Sequence, residues 1–143
     1  MTVLSRRRGQ ALIETAITLP AMIVLFLGFL AIGVAVQGVV DMNTAVSLAA
    51  ASAVTAPANR PDVGQQYASD TFQYTVSHFG YLSPGNISCQ GDYQPHPPPQ
   101  QPGRVTCSAS ATVQLARTFA VVPDLPISAT ATATFPPFRS ERP

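Results

Sequence analysis

Lysine and tryptophan are absent from this sequence, and charge of either sign is scarce. Eight arginines and seven acids make up 10% of 143 residues and leave a net charge of +1. A basic surface able to neutralise a nucleic-acid backbone cannot be built from that stock, so no nucleic-acid partner is expected. Two histidines and two cysteines give no set of ligands at zinc spacing, and neither a phosphate-binding glycine loop nor a hydrolase elbow occurs. The acids beyond the N-terminal region, Asp41, Asp62, Asp70, Asp92, Asp124 and Glu141, are scattered without a nucleophile–base constellation. The reading is non-enzymatic, with no catalytic residue, metal, cofactor or small-molecule substrate. Fourteen prolines argue against one tightly packed globule, yet 46% of the residues are hydrophobic. The apolar excess is therefore concentrated somewhere.

It lies between Glu14 and Asp41, where twenty-six consecutive residues carry no charge. As a helix that run reaches about 39 Å, enough for a hydrocarbon core of roughly 30 Å. A buried core helix is the competing reading, but the rest of the chain is too small to surround one. Pro20, Gly28, Gly33 and Gly38 are tolerated in membrane helices. Arg6, Arg7 and Arg8 precede the run and the next basic residue is Arg60, so the positive-inside rule keeps the N-terminus cytoplasmic and exports residues 41–143. A secretory signal peptide has a shorter apolar region, of about 7–15 residues.

The segment Arg6-Arg7-Arg8-Gly9-Gln10-Ala11-Leu12-Ile13-Glu14 places a glycine after the basic cluster and an acid five residues later, at the entrance of the apolar helix. Ionisable groups there are costly and suggest function, although Glu14 also suits a membrane boundary or a helix N-terminus. The combination resembles the processing signal of type IV pilins and pseudopilins. The wider stretch, through Thr15-Ala16-Ile17-Thr18-Leu19-Pro20, resembles the opening of TadE/TadG-like proteins of tight-adherence (Flp) pilus systems. Thr15 stands where that family usually has an aromatic residue.

The resemblance implies cleavage by a membrane-embedded prepilin peptidase between Gly9 and Gln10. It also implies pairing of Glu14 with the new N-terminal amine of a neighbouring subunit, and a helix kink at Pro20. The implied partners are membrane lipid, the peptidase, other pilins or pseudopilins, and Tad assembly-platform proteins. The implied location is the bacterial cytoplasmic membrane, crossed once.

Beyond Asp41 an alanine-rich stretch continues the helix outward until Pro57 and Pro61 stop it. Pro61-Asp62 starts a second helix, with Val63, Tyr67, Phe72, Val76 and Phe79 roughly on one face and Gly80 as its stop. His78 on this helix has no companion at metal spacing and reads as a surface or interface residue. After Ser83-Pro84-Gly85 the period becomes two, giving strands over about 86–93, 104–116 and 127–135. The connection Gln94 to Gly103 is proline-rich and reads as an exposed hairpin tip. Cys89 and Cys107 flank it. In an oxidising extracytoplasmic space they are expected to form a structural disulfide, worth about 3 kcal/mol for a loop of this length in the chain-entropy model.

The expected fold class is thus α+β. A leader (1–9) precedes a transmembrane helix (10–40), which extends outside the membrane (41–56). The extracytoplasmic domain (41–143) adds a second amphipathic helix (62–80) and a small antiparallel sheet of about three strands. The expected function is that of a minor pseudopilin-like structural protein in Flp-type pilus biogenesis. The alternative is an unprocessed single-pass anchor displaying a small binding domain.

Overall fold

A computed structural model describes residues 3–56, 60–91, 103–119 and 122–135, with side chains in the first helix from Ile13 onward. The chain is α+β: a long N-terminal helix α1 (Val3–Ala53), a second helix α2 (Pro61–His78), strands β1 (Leu82–Gly91) and β2 (Arg104–Val113), a single turn of helix α3 (Leu115–Thr118) and strand β3 (Leu125–Thr134). The strands form one antiparallel sheet in the order β1-β2-β3. Two compact units divide the chain, residues 1–34 and 35–143. The proline-rich segment 94–102, including His96, and the tail from Pro136 lie outside the described residues.

Helix α1 is one element of 51 residues, running through Pro20 without interruption. Pro20 withholds one N–H from the ladder, a loss that membrane helices accommodate. The alanine-rich continuation after Asp41 belongs to the same helix, as its propensity suggests. Within the second unit the helix is one-sided: Met42, Ala45, Val46, Ala49, Ala50 and Ala53 are essentially inaccessible. Their 3-1-3-1-3 spacing is that of a single helical face.

Helix α2 begins with Pro61 at its first position, where a missing N–H costs nothing. Its buried residues are Gly64, Ala68, Phe72 and Val76, a strict four-residue stripe. Phe72 and Val76 lie on the expected face, but Tyr67 is 45% exposed. Small residues rather than aromatics occupy the first two turns of the packed stripe, where Ser52 Oγ of α1 donates to Tyr67 O at 3.1 Å. That bond ties the backbones of the two helices directly through one short side chain.

The sheet begins earlier than its sequence period suggests. β1 starts at Leu82 and includes Ser83-Pro84-Gly85, which precede the strand expected from about residue 86. The register skips between Pro84 and Ile87, so these residues form a bulge inside the strand. Pro84 pairs with Ala111, and Gln114 N–H donates to Tyr81 O. By alternation the ring nitrogen of Pro84 points away from β2, so its missing donor leaves that ladder intact. Gly85 is required by close approach: a Cβ there would lie 2.6 Å from Ser110 O.

β2 ends at Val113 rather than near 116, because Leu115 turns its side chain into the core as the start of α3. Asp124 caps that turn by accepting from Ala116 N–H at 2.9 Å. β3 starts at Leu125 rather than 127, since Pro126 lies opposite Thr112 within the register. The strand faces are as the alternation predicts. Val105, Cys107, Ala109, Ala111 and Val113 are buried, while Thr106, Ser108 and Ser110 face outward.

Candidate membrane anchor and its junction with the folded unit

From Ile13 to Leu30 every residue of α1 is exposed, including Phe26, Phe29, Leu25 and Ile23. A soluble protein does not leave such a continuous apolar surface in water, since each of these side chains gains roughly 1.5–3 kcal/mol on leaving it. The helix is long and apolar enough to cross a membrane. The uncharged polar groups within the run are handled locally, as when Thr18 Oγ1 donates to Glu14 O at 2.9 Å. This internal bond removes the cost of an unpaired hydroxyl in hydrocarbon.

Glu14 is the second residue whose side chain is described, at the polar edge of this surface, and it is exposed. Gly9 and Gln10 lie within the helical backbone of α1, as do Arg6, Arg7 and Arg8. Their side-chain arrangement lies outside the described residues. The expected processing position and the topology-setting arginines are thus on the same continuous helix as Glu14 and Pro20.

At the other end of the apolar run, helix and folded unit are joined by two devices. Asp41 accepts a hydrogen bond from the Tyr81 hydroxyl at one carboxylate oxygen, and from Gln37 Nε2 at 3.0 Å at the other. Tyr81 immediately precedes β1, so Asp41 links the helix to the start of the sheet. Gly38 supplies the second device. A Cβ at this position would lie 2.7 Å from Val113 Cγ2, so only glycine admits the sheet this close to the helix. Gly28 and Gly33 have open space where a Cβ would go. Sequence reasoning places Asp41 merely among scattered acids and Gly38 among tolerated membrane glycines. Neither residue carries a local signal of its partner, because Tyr81 and Val113 are far away in sequence.

Cys89 and Cys107 form the disulfide, 18 residues apart and directly opposite each other in the β1–β2 register. Cys107 is inaccessible, so the bridge belongs partly to the core. The outer edge of β1 is closed by α2. Gln65 Oε1 accepts from Cys89 N–H at 2.8 Å, and its Nε2 donates to Ile87 O at 3.0 Å. One side-chain amide thereby replaces the residue of a neighbouring strand. Gln73 Nε2 adds a contact to Gly85 O at 3.3 Å.

His78 is exposed at the end of α2. Its ring Nδ1 bonds the Tyr74 carbonyl at 2.7 Å, and it lies 4.3 Å from the Tyr74 ring. That environment is a helix C-terminal surface contact. Among the described residues no group of three or more His, Cys, Asp or Glu side chains is placed to hold a metal.

The class defined by these features is an α+β chain with one membrane-span-capable helix continuing into a disulfide-bridged unit. No family model, curated protein or solved structure matches the chain.

Proposed function

We propose that this chain is a membrane-anchored, minor pseudopilin-like structural protein acting in biogenesis of a Tad-type (Flp) pilus. The observation that carries the reading is the continuity of α1. A single helix is uncharged and exposed on every side from Thr15 to Leu30 and is then packed on one side only, from Met42 to Ala53. A helix of this kind suits a subunit that is held in a bilayer before packing against others. The N-terminal signature supports the same reading, with Gly9-Gln10 as the cleavage site and Glu14 as the acid that pairs with a neighbour's new amine. A carboxylate inside a helical bundle needs such a partner, since an unpaired buried charge costs several kcal/mol.

In this role the protein works by position. The arginines hold the N-terminus in the cytoplasm, the helix anchors, and the disulfide-bridged unit stands outside the bacterial cytoplasmic membrane. Its partners are lipid, the prepilin peptidase, other pilins or pseudopilins and Tad assembly-platform proteins.

The test is the intact mass and N-terminal sequence of membrane-extracted protein made together with its native prepilin peptidase. The expected mature chain begins at Gln10, and Gly9→Val blocks its formation. A chain that retains Arg6 to Gly9 in the presence of active peptidase would overturn processing and favour an unprocessed anchor displaying a binding unit.

A further inference from the structure

The two edges of the sheet are treated differently. On β1 the outward groups of Ile87 and Cys89 are occupied by the Gln65 amide. On β3 the direction of the outward groups follows from one bond. Phe135 N–H donates to Gly103 O, so this pair bonds inward, and alternation turns the main-chain N–H and C=O of Ser128, Thr130, Thr132 and Thr134 away from β2. Among the described residues those groups have no partner. The strand also lacks the usual protections of an edge. It has ten residues, none charged, and its single proline, Pro126, stands near one end.

We infer that the outer edge of β3 is a self-pairing site, at which β3 of a second copy of this chain adds antiparallel and joins two three-stranded sheets into one. A two-fold axis at Ala131 sets Ser128 against Thr134 of the second copy and Thr130 against Thr132 of the second copy. In that register every outward N–H and C=O from 128 to 134 is satisfied, and Pro126, which has no donor to offer, falls outside.

Three features favour a second copy over a foreign strand. No charged side chain lies between Leu125 and Phe135, so the two-fold opposes no like charges and offers no countercharge to a charged partner strand. The rungs would extend the hydroxyl pairing already present on this face, where Thr106 meets Thr132 at 3.1 Å and Ser108 meets Thr130 at 3.2 Å. At the axis Ala131 meets only its own copy, in the closely spaced type of pair that the Cys89–Cys107 bridge occupies on the other side of β2. The inference does not depend on processing at Gly9, and its outcome is the same for leader-bearing and mature chains.

The test uses the full chain in detergent micelles, with light scattering across a concentration series. The unmodified protein is expected to dimerise, and Thr132→Val, which keeps the outward N–H and loses only the hydroxyl, is expected to lose far less of the dimer than a proline there. Thr132→Pro removes that N–H without touching the β2–β3 ladder and should weaken the dimer by roughly tenfold or more. Ala131→Cys provides a second arm, read by mass under mild oxidation with the Cys89–Cys107 bridge verified as intact. It should cross-link two chains efficiently, while Ala133→Cys, opposite Ala129 in this register, should not. A monomer at all concentrations would overturn self-pairing. A dimer undiminished by Thr132→Pro, or cross-linking no better at 131 than at 133, would overturn it by placing the contact elsewhere. If Thr132→Pro does not fold, the cross-linking arm decides alone.

Discussion

Two stretches of the same helix present opposite surfaces. From Thr15 to Leu30 the side chains are uncharged, mostly apolar and exposed on every side, whereas from Met42 to Ala53 the buried face is mostly alanine and the outward face carries Asn43, Thr44, Ser47 and Leu48. In the first stretch the large apolar side chains stay exposed along its whole length. The second is held by close packing against the folded unit, for which small side chains are the requirement. Both stretches are helical although only the second is alanine-rich, so what distinguishes the two is the pattern of side-chain size around the helix rather than the tendency to form one.

That contrast can be broken most sharply with a matched pair of substitutions. Phe72→Ala removes an inaccessible ring and should destabilise the folded unit by about 3–5 kcal/mol. Phe26→Ala, on an exposed ring of the anchor, should leave the unit's denaturation midpoint unchanged. Urea titration in micelles, followed by tyrosine fluorescence, compares the two. Next in size is the bridge. Replacing both Cys89 and Cys107 with serine releases a closure of 18 residues and should cost about 3 kcal/mol. The effect should be confined to unfolding of the sheet-containing unit, with membrane extraction behaviour retained.

Glycine to alanine gives the contrast a sign. At Gly38 the new methyl meets Val113, so Gly38→Ala should cost about 1–3 kcal/mol. At Gly28, where the space is open, the same change should leave the folded unit's stability unchanged and modestly favour helix. Thermal unfolding of the two variants side by side is sufficient. The smallest expected effect is at the capped edge. Gln65→Ala strips the partners from Cys89 N–H and Ile87 O and should cost roughly 1–2 kcal/mol. Faster amide exchange at Cys89 is its direct readout.

The architecture was legible in the sequence wherever it depended on period. The uncharged run, the alternation from Val105 to Val113 and the paired cysteines each announce their element by local pattern. Contacts between distant residues were not legible. Ser83-Pro84-Gly85 carries turn chemistry, yet it is a bulge because Pro84 faces the open side of β1 and Gly85 fits under Ser110. Likewise, Tyr67 looks like a core aromatic by spacing. The structure seats Gly64 and Ala68 there instead, because the helices approach too closely for a ring. At the junction, Asp41 and Gly38 acquire meaning only from Tyr81 and Val113, which no local spacing could supply. The N-terminal signature of Gly9, Gln10 and Glu14 is the opposite case: the role proposed for it rests on sequence pattern alone.

The most direct test of the central claim, that one helix passes from lipid into a folded unit, is a nitroxide scan along α1 in lipid nanodiscs. Single labels from Ile13 to Ala53 would be read for accessibility to oxygen and to a water-soluble nickel complex. High oxygen and low nickel access are expected at every position from Thr15 to Leu30, with no helical period. A periodic pattern is expected after Asp41, with minima at Met42, Ala45, Val46, Ala49, Ala50 and Ala53. Water-exposed nickel access recurring every three to four residues within 13–30 would contradict the claim, because the helix would then lie on a surface rather than cross a bilayer.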